Sequence, residues 1–223
     1  MTSTSTQSGP PASSSRVFVF VVVALITVGL LGVAFLATSR DSVSSDVNEE
    51  QTADVAIDGD SLPPMPDGIV GITSAANDSA VGSIVPTLTG TDFEDNEITI
   101  EADGRPKVIY FLAHWCQHCQ AEVPVIQELI DEGAQPEGLD IYAVSTGVDA
   151  GKGNYPAQIW LARENFTPVT IRDDDASSAL YAFGGASFPY VVYLDGNNTL
   201  LARTSGGLEK AVIAGLWETT AAS

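Results

Sequence analysis

The chain has 223 residues, with 29 acidic side chains against nine Lys and Arg and a formal net charge of −20 at pH 7. Such an excess of acid repels phosphate backbones and anionic lipid surfaces, so nucleic acid is excluded as a partner.

In chain order, residues 1–16 are rich in Ser, Thr and Pro and form an expected disordered N-terminal tail. Residues 17–38 carry no charge and are flanked by Arg16 and Arg40. As a helix they would be roughly 33 Å long, about the thickness of a bilayer core. The run is longer than the apolar region of a cleaved signal, although Ala37-Thr38-Ser39 offers small residues for cleavage, and an uncleaved transmembrane anchor is expected. No cysteine lies between this segment and Cys116, so a lipid anchor on cysteine is not expected. The acid-free tail and the large C-terminal part imply a single-pass protein of the cell membrane, with its N-terminus cytoplasmic and its C-terminal domain extracytoplasmic. Residues 39–80 are acidic, lack aromatics and contain Pro63-Pro64-Met65-Pro66, the composition of a disordered linker.

Residues 81–223 are enough for one domain with a sizeable core. Ile84 to Thr89 and Glu97 to Glu101 are expected to pair as a hairpin around Asp92–Asn96. Val108-Ile109-Tyr110-Phe111-Leu112 reads as a buried strand, and Gln120 to Glu132 as a helix with Ala121, Val125, Ile126, Leu129 and Ile130 on its apolar face. A strand over Leu139–Ser145, a helix over Pro156–Asn165, a short strand at Val169–Ile171 and a short helix over Ser177–Phe183 follow. Tyr190–Leu194 and Thr199–Thr204 alternate and are joined by Asp195-Gly196-Asn197-Asn198, a hairpin signal, before a closing amphipathic helix over Leu208–Trp217. The pattern is α/β, a βαβ half followed by a ββα half around one mixed sheet.

Both cysteines of the chain fall within Trp115-Cys116-Gln117-His118-Cys119, at the junction of the apolar strand and the helix after it. A helix N-terminus presents unpaired amides and the positive end of the helix dipole, which favour thiolate over thiol. Cys116 is the expected nucleophile, and Cys119, one turn on along the same face, is within reach of its sulfur. One sulfur attacks a partner and the other resolves the mixed disulfide. Other readings compete with this one. A structural disulfide across so short a span removes little chain entropy. A zinc site of His114, Cys116, His118 and Cys119 has no distant ligand to complete a tetrahedron. Simple packing of two small thiols does not require this junction.

With these residues the chain resembles a thioredoxin-fold protein of the membrane-anchored, extracytoplasmic TlpA/ResA-like thiol-disulfide oxidoreductases. The resemblance spans about Ser83 to Trp217 and includes the apolar strand, Trp115, the C-x-x-C pair and Pro124, five residues beyond Cys119. It implies that Thr146–Arg172 is the strand-helix insertion of the TlpA branch and that Phe188-Pro189 takes the place of the family's cis-proline. Phe188 and Pro189 would then line a substrate groove beside the cysteines. Thioredoxin itself keeps a buried acid six positions before its first cysteine, where this chain has Tyr110. His118 before Cys119 resembles oxidising members, in which histidine stabilises the thiolate, whereas the overall architecture leans towards reduction.

The resemblance implies an enzyme in which Cys116 and Cys119 are catalytic and Trp115 and His118 support them. No bound cofactor is implied, because the redox equivalent is the Cys116–Cys119 disulfide. Protein thiols and disulfides are the implied substrates, with a transmembrane redox partner to recharge the pair. A redox-inactive binding or assembly module with a structural disulfide is the alternative. A peroxiredoxin-like peroxidase is a third reading, against which stands the lack of a Pro and Thr/Ser pattern in Tyr110–Trp115. His114 is expected as an exposed lip residue or a proton shuttle, Trp115 as an exposed lid and Glu122 as a solvated side chain. Asp173-Asp174-Asp175 reads as a polar turn capping the following helix.

Overall fold

A computed structural model describes residues 50–69 and 71–223, together with Met1. The expected membrane anchor and most of the tail lie outside the described residues, and among the described residues no helix is long and apolar enough to cross a membrane.

The central strand is β5 (Lys107–Leu112), whose six residues are all buried. Side chains alternate across a strand. Val108, Tyr110 and Leu112 accordingly join one core cluster with Val123, Ile126 and Trp217, while Ile109 and Phe111 join a second with Val144, Phe183 and Val192. A strand apolar on both faces must lie inside a sheet covered on both sides.

Nine strands are present among the described residues: β1 (Ala56–Asp58), β2 (Gly71–Ile72), β3 (Thr87–Thr91), β4 (Glu97–Ile100), β5, β6 (Asp140–Ser145), β7 (Val169–Arg172), β8 (Tyr190–Leu194) and β9 (Leu200–Ser205). The main sheet has the order β2-β9-β8-β5-β6-β7, and β1-β3-β4 form a smaller one. β5 runs parallel to β6 and antiparallel to β8. Its parallel partner requires a crossover, supplied by helix α1 (Gln117–Asp131). Helices α2 (Ala157–Arg163) and α3 (Ser178–Ala182) flank β7, and α4 (Lys210–Ala221) packs beside α1 on the same face of the sheet. The βαβ and ββα halves around one mixed sheet are as the sequence implies. Asp173 accepts from the Ala179 and Leu180 amides and Asp174 from that of Ser178, so the acidic run does cap α3.

The disordered linker expected over residues 39–80 is corrected from residue 50 onwards. β1 pairs with β3 and β2 with β9, Leu62 is buried, and the Leu62 and Met65 amides donate to Ala182 and Gly184 carbonyls at 2.8 Å. The clamp is Arg203 on β9. Its Nε and Nη2 donate to both Asp78 carboxylate oxygens at 2.6 and 2.8 Å, and Nη1 donates to the Pro63 carbonyl at 2.8 Å. Both side chains of the pair are fully buried. Burial alone would raise the Asp78 pKa, but the Arg203 guanidinium and the Ala80 amide outweigh it and hold the carboxyl below its usual range. Composition correctly signalled a segment without its own core; the missing partner is more than a hundred residues away.

Removing one member of a buried ion pair strands the other charge, so Asp78→Ala should lower unfolding stability by about 3–5 kcal/mol. Urea denaturation of the single variants and of Asp78→Ala/Arg203→Met checks this: the double variant should recover part of the loss, whereas a freely disordered linker would leave stability unchanged.

Candidate active site

α1 starts three residues earlier than its apolar pattern suggests, because Cys116 itself is the N-cap. Cys116 has extended backbone (φ −74°, ψ 120°), and its sulfur accepts the Cys119 amide at 3.4 Å. The cap thus points the first sulfur at the open amides of the first turn and places the second sulfur one turn inward. Cys116 keeps 8% of its surface exposed and Cys119 none; both thiols are unbonded. Burial pushes the Cys119 thiol far above its ordinary pKa.

Sequence reasoning missed Glu122. Instead of a solvated side chain it is 3% exposed, three residues after Cys119 on the inward face of α1. Its Oε1 accepts the Leu208 amide at 3.0 Å, and Oε2 is buried without a hydrogen-bond partner. Desolvation, only partly offset by the Leu208 bond, lifts its pKa to about 7. Its charge is felt by Cys119, Tyr110 and Tyr193. The buried acid absent from strand position 110 therefore stands on the helix instead. Tyr110 is packed in the core and its hydroxyl accepts the Trp217 indole N–H at 2.8 Å. The missed signal was helical phase: Cys119, Glu122, Val123 and Ile126 share the buried face, while Ala121, expected inside, is exposed.

His114 is also corrected. It is neither a lip residue nor positioned as a shuttle, being 1% exposed with both ring nitrogens committed to one loop. Nε2 accepts the Asp149 amide at 3.2 Å, so Nδ1 carries the proton and donates to the Gly153 carbonyl at 2.8 Å. Asn154 and Gln120 side-chain amides donate to the His114 carbonyl at 3.4 and 3.0 Å. The loop between β6 and α2 is thereby fastened to the approach to the cysteines.

Trp115, expected as an exposed lid, is half-buried and held: its indole N–H donates to the Gly147 carbonyl at 2.7 Å, and its ring meets Phe188 edge-on with centroids 5.6 Å apart. Gly147 has φ +58°, and a Cβ there would lie 3.1 Å from Phe188 Cζ, so this close approach requires glycine. Lys152 lies over the Trp115 ring with Nζ 3.9 Å from a ring centroid. The Phe188–Pro189 peptide bond is cis, and the Pro189 carbonyl accepts the Gly206 amide at 3.0 Å. Tyr155–Pro156 is cis as well. His118 is exposed on the first turn of α1, near Gly207. Cys116, Cys119, Trp115 and Phe188 are thus brought together, with His118 at the margin. Among the described residues no group of three or more His, Cys, Asp or Glu is arranged to hold a metal ion.

This architecture and the closely spaced dithiol define a protein of the thioredoxin superfamily, related to ResA- and DsbE-like thiol-disulfide oxidoreductases. The family model described as AhpC/TSA matches residues 81–199, more than half of the chain, and the chain belongs to that family. It is similar to the thiol-disulfide oxidoreductase ResA of Geobacillus thermodenitrificans (strain NG80-2), 28% identical over 134 residues, 59% of this chain and 72% of the relative. It is also 28% identical over 131 residues to the thiol:disulfide interchange protein DsbE of Pseudomonas fluorescens biotype C, 57% of this chain and 65% of that protein. A thioredoxin-family thiol:disulfide interchange protein from Chlorobium tepidum TLS superposes with a TM-score of 0.52 at 14% identity, covering 62% of this chain and 96% of that one; it shows the shared fold.

A carboxyl whose pKa is raised on folding binds its proton more tightly in the native state. Its contribution to stability is therefore full below the unfolded value of 4.5 and falls away as pH rises through about 7. The loss from Glu122 across that window should be on the order of 3 kcal/mol. Denaturant unfolding at pH 5 and pH 8 should show that Glu122→Gln removes this part of the pH dependence and is more stable than the native sequence at pH 8.

Proposed function

We propose that this protein is a membrane-tethered, extracytoplasmic thiol-disulfide oxidoreductase acting on protein cysteines. The observation that carries the reading is Cys116 as N-cap of α1, with Cys119 one buried turn beneath it. A structural staple needs no open helix N-terminus, and a reactive thiolate does. The names of the two relatives above support the activity, and the crossing from β6 through α2 to the parallel β7 supports residues 146–172 as a TlpA-type insertion. The tether at 17–38, the outward orientation and the transmembrane redox partner rest on the sequence and the resemblance.

In the reducing direction the Cys116 thiolate attacks one sulfur of a substrate disulfide, forming a mixed disulfide and releasing the other substrate sulfur as thiolate. Cys119 gives up its proton, and its thiolate attacks the Cys116 sulfur. The second substrate thiol leaves, two electrons have passed to the substrate, and the Cys116–Cys119 disulfide remains. Oxidation of a substrate is the same path reversed. Because burial makes Cys119 a poor acid, the second step needs an acceptor. Glu122, with a pKa of about 7 and a partnerless buried oxygen, is that acceptor. His118, exposed on the first turn of α1, is a supporting residue at the margin of the pair. Phe188 and Pro189, against Trp115, form the substrate wall.

The family match favours one second reading, reduction of a peroxide by Cys116. Loss of peroxide in the presence of reduced protein separates it from dithiol exchange.

Cys119→Ser should accumulate partner proteins as mixed disulfides through Cys116, visible as bands that collapse with reductant, and Cys116→Ser should trap none. A binding module with an inert disulfide would trap none in either variant. Glu122→Gln should form the mixed disulfide normally and slow its resolution by on the order of a hundredfold or more, the range of a lost proton acceptor. The equilibrium potential of the pair assigns the direction: near about −270 mV it works as a reductant, near about −120 mV as an oxidant.

A further inference from the structure

The acidic excess of this chain leaves few cations free, and the described ones are nearly all neutralised. Arg105, Lys107, Arg163, Arg172, Arg203 and Lys210 each hold a carboxylate within ion-pair distance. Lys152 is the one Lys or Arg among the described residues outside any such pair. It is exposed and lies on the face of Trp115, the residue next to Cys116. The neighbouring Asp149 is not within ion-pair distance of it, and its Oδ1 accepts the Gly151 amide at 2.9 Å.

Its position is built. The Lys152 amide donates to the Asp149 carbonyl at 3.0 Å, closing a turn, and His114 grips that turn on both sides through the Asp149 amide and the Gly153 carbonyl. Trp115 holds the loop a second time through the Gly147 carbonyl. A cation stacked on an aromatic face still offers its ammonium protons to an acceptor.

We propose that Lys152 is a specificity-determining residue of the exchange reaction, selecting partner segments that carry a carboxylate beside the reacting cysteine. The proposal rests on the redox reading above. An extended segment lying along the wall formed by Trp115 and Phe188, with its sulfur at Cys116, passes near the ammonium that sits on the Trp115 face. On a surface otherwise strongly negative this is the point at which an acidic segment is attracted instead of repelled. Lys152 touches the partner's side chain, not the reacting sulfurs, so it acts on the choice of partner and leaves the chemistry to the cysteines.

The test uses the reduced full chain and three peptides, each with one cysteine activated as the same nitrothiobenzoate mixed disulfide and flanked by Glu, Gln or Lys. Release of the chromophore reports attack by Cys116, whichever way the pair runs in nature. The Glu peptide should react faster than the Gln peptide by about two- to fivefold at low salt, the worth of one exposed ion pair, and the Lys peptide more slowly. High salt should level the three. Lys152→Gln should abolish the preference, Lys152→Glu invert it and Lys152→Arg retain it. Iodoacetamide, which is uncharged, reports Cys116 reactivity alone. If Lys152→Gln changes the iodoacetamide rate and all peptide rates by one common factor, Lys152 acts on the thiolate and the proposal is overturned. An unchanged preference in Lys152→Glu, or no preference in the native chain, also overturns it while leaving the redox reading intact. A chain that reacts with none of the peptides overturns both.

Discussion

The site depends on the requirement that β5 be buried on both faces. Because Val108–Leu112 is apolar throughout, the strand lies between two core clusters, and the chain must leave it at one end of the sheet and cross over as a helix to reach its parallel neighbour β6. That exit is where Trp115 to Cys119 fall. An open helix N-terminus is the natural place for a thiolate, since the first-turn amides have no other intrahelical partner. Cys116 occupies it as the cap, and the helical period then carries Cys119 and Glu122 inward beneath it. The order of capping thiol, buried thiol and buried acid is a consequence of one strand and one helical repeat.

Much of this was legible locally. β5, α1, the β8–β9 hairpin and the capping of α3 by Asp173 and Asp174 are set by nearest-neighbour chemistry, and each lies within a few residues of where its pattern places it. Features whose explanation is distant were not legible. Residues 50–80 look like a tether because their composition lacks a core of its own; distant partners, Arg203 for Asp78 and the Ala182 carbonyl for the Leu62 amide, make them parts of the fold. His114 looks exposed until the loop at 149–153 returns to donate to one of its nitrogens and accept from the other. Glu122 is a different failure. Its phase on α1 was readable from Cys119 onwards, and a helix face chosen from apolar residues alone passes over a buried acid.

Cys119, Glu122, Tyr110 and Tyr193 sit in one dry region in which desolvation raises every pKa. Such a region does not readily hold two negative charges at once, so ionisation of Cys119 and of Glu122 are competing events. Glu122 is the weaker base of the two by a wide margin, which makes transfer from Cys119 uphill in the resting state. In the proposed exchange the balance changes once Cys116 is tied up in a mixed disulfide, because loss of the Cys119 proton is then coupled to the bond that its sulfur forms. On the proposed mechanism the buried acid therefore favours resolution while a partner is attached and disfavours a standing Cys119 thiolate between turnovers.

The loop at 147–154 completes the arrangement by a different economy. It has no apolar core of its own, and its order comes from two side chains of the active-site segment, His114 and Trp115, which bind its backbone at the Asp149, Gly153 and Gly147 positions. The residues immediately before Cys116 consequently do two tasks: they carry the chain from β5 into α1, and they hold the loop beside the contact of Trp115 with Phe188. The loop holds Trp115 and its contact with Phe188, whereas the cap at Cys116 is made by the Cys119 amide of α1. On the proposed reading, partner choice and sulfur chemistry are therefore separable, because the first belongs to a loop held by His114 and Trp115 and the second to the first turn of α1.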